Sequence, residues 1–351
     1  MTQYTACNNL NKLIWLLHMA DEKQTVAFFL RHFNERGTEV SAYNYAHYNE
    51  VILGNNSICV CFKDVYENPG CPEAFLKFSK RFPVVVIGDI FDMRAVIDHF
   101  GVTAFYTQTH GGPDWYHFED SVLWKGVRTI KHCVFQTDFP ESDRYCSISA
   151  TLNTKFGTNI PVVPLLVPKP INTTDTLREE FGIPNDAIVF GRIGADDTFD
   201  IPMVHSAIVK HVESTPNAYF FLMHTRQFAL SHPRIIHVER TVDEDRKEKF
   251  INSCDAMIHA RSGGETFGMA VAEFSVRNKP VITFNTTPGP QRDVEHIKIL
   301  GDRGILYNTE TELLDIFENI RDIISSRNDW NAYDEFSPGK LMNVFKTTLL
   351  D

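Results

Sequence analysis

The chain has 351 residues, enough for two domains that each bury a core, and 43% of its residues are hydrophobic. Its formal net charge of −11 argues against a general nucleic-acid binder, which needs clustered positive charge, but it does not argue against a small phosphorylated ligand. No apolar run approaches the ~18 residues that span a bilayer, so we expect a soluble, cytoplasmic protein. Its seven cysteines match neither a disulfide framework nor zinc spacing and are predicted to be buried thiols.

The first part of the chain alternates short apolar strands with helical stretches. The spacing of its apolar residues predicts strands over 12–18, 39–45, 57–62, 84–87, 103–108 and 145–149, and helices over 25–36, 72–81, 92–100 and 150–155.

Four prolines stand between residues 160 and 172, too many for a regular helix or a central strand. We therefore predict an N-terminal domain over 1–165 and a C-terminal domain over 170–335. The tail 336–351 is predicted to form a last amphipathic helix.

The second part of the chain repeats the alternation. It is predicted to hold strands over 188–192, 219–224, 235–238, 256–259, 281–284 and 304–307, and helices over 176–181, 202–214, 243–254, 266–276 and 311–326. Alternating strands and helices with buried Val and Ile runs predict parallel sheets covered on both faces. The expected fold class is therefore α/β, with two Rossmann-like, doubly wound domains facing a central cleft.

The stretch 254–284 contains the clearest indication of chemistry. A short strand is predicted to lead through a loop containing Gly263 and Gly264 into a helix that begins near Phe267. The free N–H groups and the dipole of a helix start favour an anion such as a diphosphate, and Gly264 and Gly268 let a ligand approach the backbone. Ligands of parallel sheets bind at this place, outside the carboxyl ends of the strands.

Two acids belong to this stretch, Glu265 and Glu273. Eight helical steps separate them by ~12 Å along the axis, so they can hold two ends of an extended, hydroxyl-rich ligand but not one atom. Glu265 can alternatively be an ordinary acid stabilised by a helix start. Glu273 lies among apolar residues, where an acid without a partner is costly, and this favours a ligand-binding pair.

The segment GETFGMAVAEFSVRNKPVI resembles the C-terminal motif of retaining glycosyltransferases with the GT-B fold, especially glycosyltransferase family 4. The residues in register are Glu265, Phe267, Gly268, Glu273, Pro280, Val281 and Ile282. The resemblance implies that Glu265 contacts the donor sugar and Glu273 the ribose hydroxyls. It also implies that the backbone amides of Phe267, Gly268 and Met269 face the diphosphate and the sugar.

A second segment, IVFGRIG over 188–194, resembles the family's strand followed by Gly-Arg. By this resemblance Gly191, Arg192 and Gly194 belong to the donor site, with Arg192 at the nucleotide diphosphate. The Gly-Arg pair can also be an ordinary turn.

The family's usual lysine a few residues after that arginine is missing, and residues 195–200 contain three aspartates instead. The charge of the leaving group then needs another cation, for which Arg226 and Arg261 are candidates. We predict that at least one of them lies at the diphosphate; the alternative for each is a surface arginine.

In the N-terminal part, His110 resembles the histidine that the family often has at the edge of the cleft, near the donor sugar. The alternative is a structural histidine that caps backbone groups. The family's Gly-Gly turn after the first strand is absent from residues 18–22, which indicates different acceptor contacts. In such folds the C-terminal helix crosses back to the N-terminal domain; the alternative is a simple terminal cap.

The resemblance as a whole implies a hexosyltransferase-type glycosyltransferase. It would move a sugar from a nucleotide-diphosphate sugar to the hydroxyl of a glycan or other acceptor, with retention and without a metal or other cofactor. Arg192, a second cation and the helix start would take the leaving charge, while Glu265 and His110 act at the sugar. The alternatives are another GT-B enzyme, such as an epimerase, a phosphorylase or a donor hydrolase, and an inactive nucleotide-sugar binder. The sequence predicts neither the donor base, nor the acceptor, nor an oligomeric state.

Overall fold

The computed structural model describes residues 23–34, 36–285, 287–289 and 292–351, which contain two parallel six-stranded sheets. The predicted strand over 12–18 and the segment 18–22, which lacks the family's Gly-Gly turn, lie outside the described residues. Two parallel sheets with helices confirm the predicted α/β class of two Rossmann-like halves.

The first sheet has the order β3-β2-β1-β4-β5-β6, and all its neighbours are parallel. Its strands are β1 (Thr25–Leu30), β2 (Asn56–Phe62), β3 (Val84–Ile87), β4 (Ala104–Thr109), β5 (Arg128–Cys133) and β6 (Arg144–Ser147). The helices of this part are α1 (Gly37–Val51), α2 (Lys63–Glu67), α3 (Pro72–Arg81), α4 (Met93–Phe100) and α5 (Ala150–Phe156), with a 3-10 turn over Ile90–Asp92.

Two predictions at the start of this sheet are wrong. The predicted helix over 25–36 is the strand β1, whose six residues are all buried, because a central parallel strand is covered on both faces and so loses the alternation that marks a strand. The predicted strand over 39–45 belongs to α1, whose buried residues recur at helical spacing. The strand β5 was not predicted, since charged residues interrupt it; its Lys131 is nevertheless buried, paired with Asp114 and Glu141.

The second sheet has the order β14-β12-β10-β7-β8-β9, with a separate two-stranded ladder of β11 and β13. The strands of this half, in chain order, are β7 (Ile188–Ile193), β8 (Ala218–Met223), β9 (Ile235–Val238), β10 (Ala256–His259), β11 (Gly264–Glu265), β12 (Val281–Phe284), β13 (Asp293–Val294) and β14 (Gly304–Tyr307). The helices are α6 (Pro202–Ser214), α7 (Glu244–Ser253), α8 (Met269–Ser275), α9 (Glu295–Leu300), α10 (Glu310–Glu318), α11 (Ile320–Ser325) and α12 (Pro338–Phe345), with 3-10 turns over Gly301–Arg303 and Asp334–Phe336 and a π-helical turn over Lys346–Leu350.

The second sheet matches its predicted strands closely, whereas several helices differ from their predictions. Residues 176–181 form turns rather than a helix, held by Arg178, which donates to the carbonyls of Pro184 and Ala187. The predicted helix over 311–326 is divided into α10 and α11 at Asn319.

The register of the second sheet brings three strand ends together. β7 and β12 each pair with the central strand β10, so Arg192, His259 and Thr283 come to the same edge of the sheet. Parallel strands place all their carboxyl ends on one side, which is where α/β sheets bind ligands.

The chain returns to the first sheet at its C-terminus. Leu341, Met342 and Phe345 of α12 join the core formed by β1, α1 and β4, and the ring of Phe345 stacks on Tyr45 with centroids 4.7 Å apart. No helix in the described part of the chain is long and apolar enough to cross a membrane. The six described cysteines are buried and form no disulfide bond with one another.

Candidate active site

A cavity of about 460 Å³ lies between the two halves of the molecule. The first half contributes the start of α1, part of α3 and the residues after β5, and the second half contributes the ends of β7 and β10 and the start of α8. The carboxyl edges of both sheets therefore border one ligand-sized space.

The charge of this cavity is opposite to the charge of the chain. Among the described residues, its lining has six Lys or Arg and four Asp or Glu, whereas the chain has a net charge of −11. The cations are Arg36, Lys77, Arg192, Arg240, Lys247 and Arg261, and the acids are Asp197, Glu244, Glu265 and Glu273. Such a concave, locally cationic surface concentrates anions.

Arg192 is the most deeply buried of these cations, with only 3% of its surface exposed at the end of β7. Its guanidinium donates to the carbonyls of His224 (2.8 Å) and Ala195 (2.6 Å) and to the hydroxyls of Thr225 (2.6 Å) and Thr198 (2.8 Å). Burial lowers its pKa to about 10. These four partners orient the guanidinium without neutralising it, so a bound anion would gain from its charge.

The two glycines around Arg192 have packing roles. A Cβ atom on Gly194 would lie 2.6 Å from the Arg192 guanidinium, so the absence of a side chain lets Arg192 fold back over its own strand end. A Cβ atom on Gly191 would lie 2.3 Å from the sulfur of Cys254. Gly194 lines the cavity, whereas Gly191 is outside its lining.

Glu265 lies in the cavity between two donors. His259 Nε2 is 3.3 Å from Oε1, and Arg261 Nη1 is 2.8 Å from Oε2. Burial opposes ionisation of Glu265, but the hydrogen bond with His259 and the charge of Arg261 outweigh it and lower its pKa to about 2. The site therefore holds Glu265 as a carboxylate.

His259 is held in turn by residues behind it. Its Nδ1 is 2.8 Å from Thr283 Oγ1, which is 3.2 Å from His296 Nε2, and Tyr307 donates to the His259 carbonyl at 3.0 Å. Because an ionised carboxylate only accepts, His259 Nε2 must donate to Glu265, and this fixes the orientation of the ring.

The turn before α8 presents its backbone to the cavity. Gly264 and Gly268 have φ values of +64° and +86°, which only glycine adopts without strain, and Phe267, Gly268 and Met269 belong to the lining. The ring of Phe267 points into the core against Tyr333. The predicted helix over 266–276 is shorter than expected and begins at Met269, because the left-handed Gly268 precedes it.

Glu273 has a partner that the sequence did not indicate. Lys247 donates to its Oε1 at 2.7 Å and also lies 2.8 Å from Glu244, which is bound by Lys77 of α3 at 2.5 Å. This ionic chain, Lys77–Glu244–Lys247–Glu273, crosses from the first half of the molecule to the second. Its signal in the sequence is weak: Lys247 is three and four positions before the buried Phe250 and Ile251, on the inward face of α7.

The structure places the remaining predicted residues less centrally. Arg226 is 69% exposed in its side chain, pairs with Asp196 at 3.2 Å and is outside the cavity lining, so of the two candidate arginines only Arg261 is in the lining. His110 is exposed at the end of β4, outside the lining, with its ring 5.4 Å from that of the cavity residue Phe135.

Neither a family model nor a curated protein matches this sequence. Solved structures do match it. A glycosyltransferase from Rickettsia africae superposes with a TM-score of 0.68 at 14% identity, over 93% of this chain and 99% of that chain. HepE from Anabaena, in complex with UDP-glucose, superposes with a TM-score of 0.68 at 13% identity, over 93% of this chain and all of that chain.

The chain has the GT-B fold. At such identities the likeness establishes the GT-B fold and not the reaction. The UDP-GlcNAc 2-epimerase from Neisseria meningitidis, bound to UDP-GlcNAc, also superposes, with a TM-score of 0.59 at 11% identity, over 94% of this chain and all of that chain. The solved structures that match this chain therefore include enzymes of different reactions.

Proposed function

We propose that this chain is a glycosyltransferase that moves a sugar from a nucleotide-diphosphate sugar to an acceptor hydroxyl. The observation that carries the proposal is the cationic cavity of an acidic GT-B chain, with the buried guanidinium of Arg192, whose four hydrogen-bond partners are uncharged, in its lining. UDP-sugars are the first donors to test, because HepE was solved with UDP-glucose.

The departing diphosphate sets the roles of the basic residues. As the bond to the sugar breaks, negative charge grows on the phosphate oxygens, and fixed cations in a water-poor site stabilise it at little reorganisation cost. We assign this role to Arg192 and Arg261, together with the backbone turn over Phe267, Gly268 and Met269. Arg226, on the surface, is the weaker candidate.

The sugar centre sets the roles of the acids. Positive charge develops at the anomeric carbon, and the carboxylate of Glu265 both accepts hydrogen bonds from sugar hydroxyls and stabilises that charge. Glu273 is assigned to the ribose and His110 to the cleft edge near the sugar. Retention of configuration and independence of a divalent metal belong to the proposal through the family resemblance.

We assign donor binding and acceptor binding to different halves of the molecule. The second half, with the predicted limits 170–335, holds the donor, and the first half, predicted to extend to residue 165, holds a glycan or other hydroxyl acceptor. Closure of the two halves on bound substrates would exclude bulk water and so limit donor hydrolysis.

A binding experiment tests the donor assignment. We expect a UDP-, GDP- or ADP-sugar to raise the melting temperature by mass action. Arg192→Lys keeps the charge but loses the planar fork and should raise the Kd of that ligand at least ~10-fold, about 1.4 kcal/mol. The matched change Arg321→Lys, at an exposed arginine outside the cavity lining, should leave the Kd unchanged. No stabilisation by any of the three classes, or equal binding by a folded Arg192→Lys variant, would overturn the proposal.

Product analysis separates transfer from the epimerase and hydrolase alternatives. Incubation of the bound donor with a panel of glycan acceptors should give a glycosylated product with the donor's anomeric configuration, in EDTA as well as in Mg²⁺. Glu265→Ala and His110→Ala should abolish transfer and keep the fold. An epimerised donor in the absence of acceptor would instead assign the chain to the other reaction that this fold supports.

A further inference from the structure

Among the described residues, two ion pairs connect α7 with α8 and with the turn that follows α8, and they differ in their surroundings. Glu248 and Arg277 form one of them, with contacts of 2.5 and 2.9 Å and side chains that are 2% and 9% exposed, away from the cavity. Lys247 and Glu273 form the other, 2.7 Å apart and in the cavity lining. A ligand in the cavity can therefore reach the Lys247–Glu273 pair but not the Glu248–Arg277 pair.

The Lys247–Glu273 pair does not use all of its hydrogen-bond donors and acceptors within the protein. An ammonium group has three N–H donors, and those of Lys247 face Glu273 and Glu244, at 2.7 and 2.8 Å. Lys247 engages Glu273 through Oε1. One donor on the lysine and the lone pairs of Glu273 Oε2 therefore remain for a molecule in the cavity.

This combination fits a vicinal diol. A carboxylate alone can only accept from hydroxyl groups and an ammonium alone can only donate to their oxygens. When the two groups lie side by side, the carboxylate can accept a hydrogen bond from one hydroxyl of the diol. The ammonium can donate a hydrogen bond to the oxygen of the neighbouring hydroxyl. Both side chains are 12% exposed, so a missing hydroxyl would leave a nearly buried charged group without its partner.

We propose that Lys247 is a specificity-determining residue that reads the ribose diol of the donor together with Glu273. The inference rests on the proposed function, because it places the nucleoside of a nucleotide sugar beside α8. It adds a donor-side cation from α7 that the glycosyltransferase resemblance did not supply.

The test compares ribose and deoxyribose ligands in binding. Kd values are measured by calorimetry for the tightest-binding of UDP, GDP and ADP and for its 2′-deoxy and 3′-deoxy analogues. We expect the unmodified protein to bind at least one deoxy analogue ~10-fold more weakly or worse, as loss of a hydrogen bond to a charged group implies. In Lys247→Met, which keeps the aliphatic stem, that ratio should fall below ~3.

Lys249→Met is the matched control. Lys249 is two residues along the same helix, pairs with Asp245 at 2.9 Å and is outside the cavity lining, so this variant should keep the ratio of the unmodified protein. If Lys247→Met does not fold, Lys247→Gln, which keeps a neutral N–H donor, should keep most of the discrimination.

The outcomes distinguish the two proposals. If no nucleoside diphosphate binds, the proposed function fails and this inference fails with it. If a ribonucleotide binds but neither deoxy analogue binds more weakly, the inference is wrong while the donor assignment stands. The inference is also wrong if Lys247→Met weakens all three ligands by the same factor, since the lysine would then contribute charge without reading the diol.

Discussion

At the residue scale, the candidate site is defined by the neighbours that keep the carboxylate of Glu265 ionised. The carboxylate is largely removed from water, which by itself favours the neutral acid, yet His259 and Arg261 reverse that preference. His259 can do so because Thr283 fixes its other nitrogen. The negative charge of Glu265 therefore depends on His259, Arg261 and Thr283 together.

This balance predicts the pH dependence of stability. The folded pKa of Glu265, about 2, is below its ordinary value of 4.5, so the native state binds fewer protons there than the unfolded state. The stabilisation, up to roughly 3 kcal/mol, is complete above pH 4.5 and is lost as the pH falls toward 2. Glu265→Gln should therefore flatten the unfolding free energy between these values, measured by urea denaturation.

A substitution at an exposed acid serves as the control for Glu265→Gln. Glu318→Gln, on the surface at the end of α10, should leave the slope unchanged. The Glu244 carboxylate, whose burial is outweighed by Lys247 and Lys77, also has a pKa lowered to about 2, so Glu265→Gln should reduce the slope without removing it. Parallel curves for Glu265→Gln and the unmodified protein would contradict the assignment.

At the element scale, the packing of β7 against the helices beside it decides where the Arg192 guanidinium lies. Gly191 faces Cys254 and Phe274, and Gly194 makes room for Arg192 itself. The close approach of β7 to the end of α7 and to α8 leaves no space for a side chain at Gly191, and the Arg192 guanidinium occupies that space at Gly194. The glycines of IVFGRIG thus shape the site through packing, and only Gly194 also borders the cavity.

Adding one methyl group tests this packing. Gly191→Ala should lower the free energy of unfolding by ~1–3 kcal/mol, because the new Cβ atom would lie 2.3 Å from the Cys254 sulfur and 3.1 Å from the Phe274 ring. Gly339→Ala, in α12 with nothing within 4 Å of the new atom, should be neutral or stabilising by up to ~1 kcal/mol. Thermal or urea denaturation measures both. Equal stability of the two variants would show that β7 has room to move.

At the scale of the whole molecule, contacts between distant parts of the chain tie the two halves together. The ionic chain Lys77–Glu244–Lys247–Glu273 connects α3 to α7 and α8 across the cavity. The C-terminal helix α12 follows the second sheet in the sequence but packs its apolar face on the first. The cavity is therefore bordered by elements whose relative position depends on contacts between distant parts of the chain.

Removal of the Phe345 ring should destabilise the first half of the molecule more than the second. Phe345 is fully buried against Tyr45 and Tyr106, so Phe345→Ala should cost ~3–5 kcal/mol. Amide exchange should accelerate in β1 and β4 while β7 and β10 keep their protection. Thr347→Ala, at an exposed position beside it, should change stability by less than ~0.5 kcal/mol. Equal acceleration in both sheets would show that the two halves unfold together.

Much of the fold could be predicted from local pattern, and the failures have physical causes. The short Val- and Ile-rich strands of the second sheet, such as Val281–Phe284, coincide with their predictions because turn residues bound them. The strand Thr25–Leu30 was mistaken for a helix because burial on both faces removes the period that distinguishes the two. The strand Arg128–Cys133 was missed because its lysine is buried only through partners in distant loops.

By itself, the sequence determined the α/β alternation, the loop and acids around 264–273 and the position of Arg192 at a strand end, because these depend on neighbours within a few residues. Only the tertiary structure decided which charges meet. Lys77 and Glu244 are 167 positions apart in the chain, and His259 reaches Thr283 through the pairing of β10 with β12. Electrostatic interactions depend on distance in space and on burial, so the partners of Glu265 and Glu273 emerge only when the sheets and helices have packed.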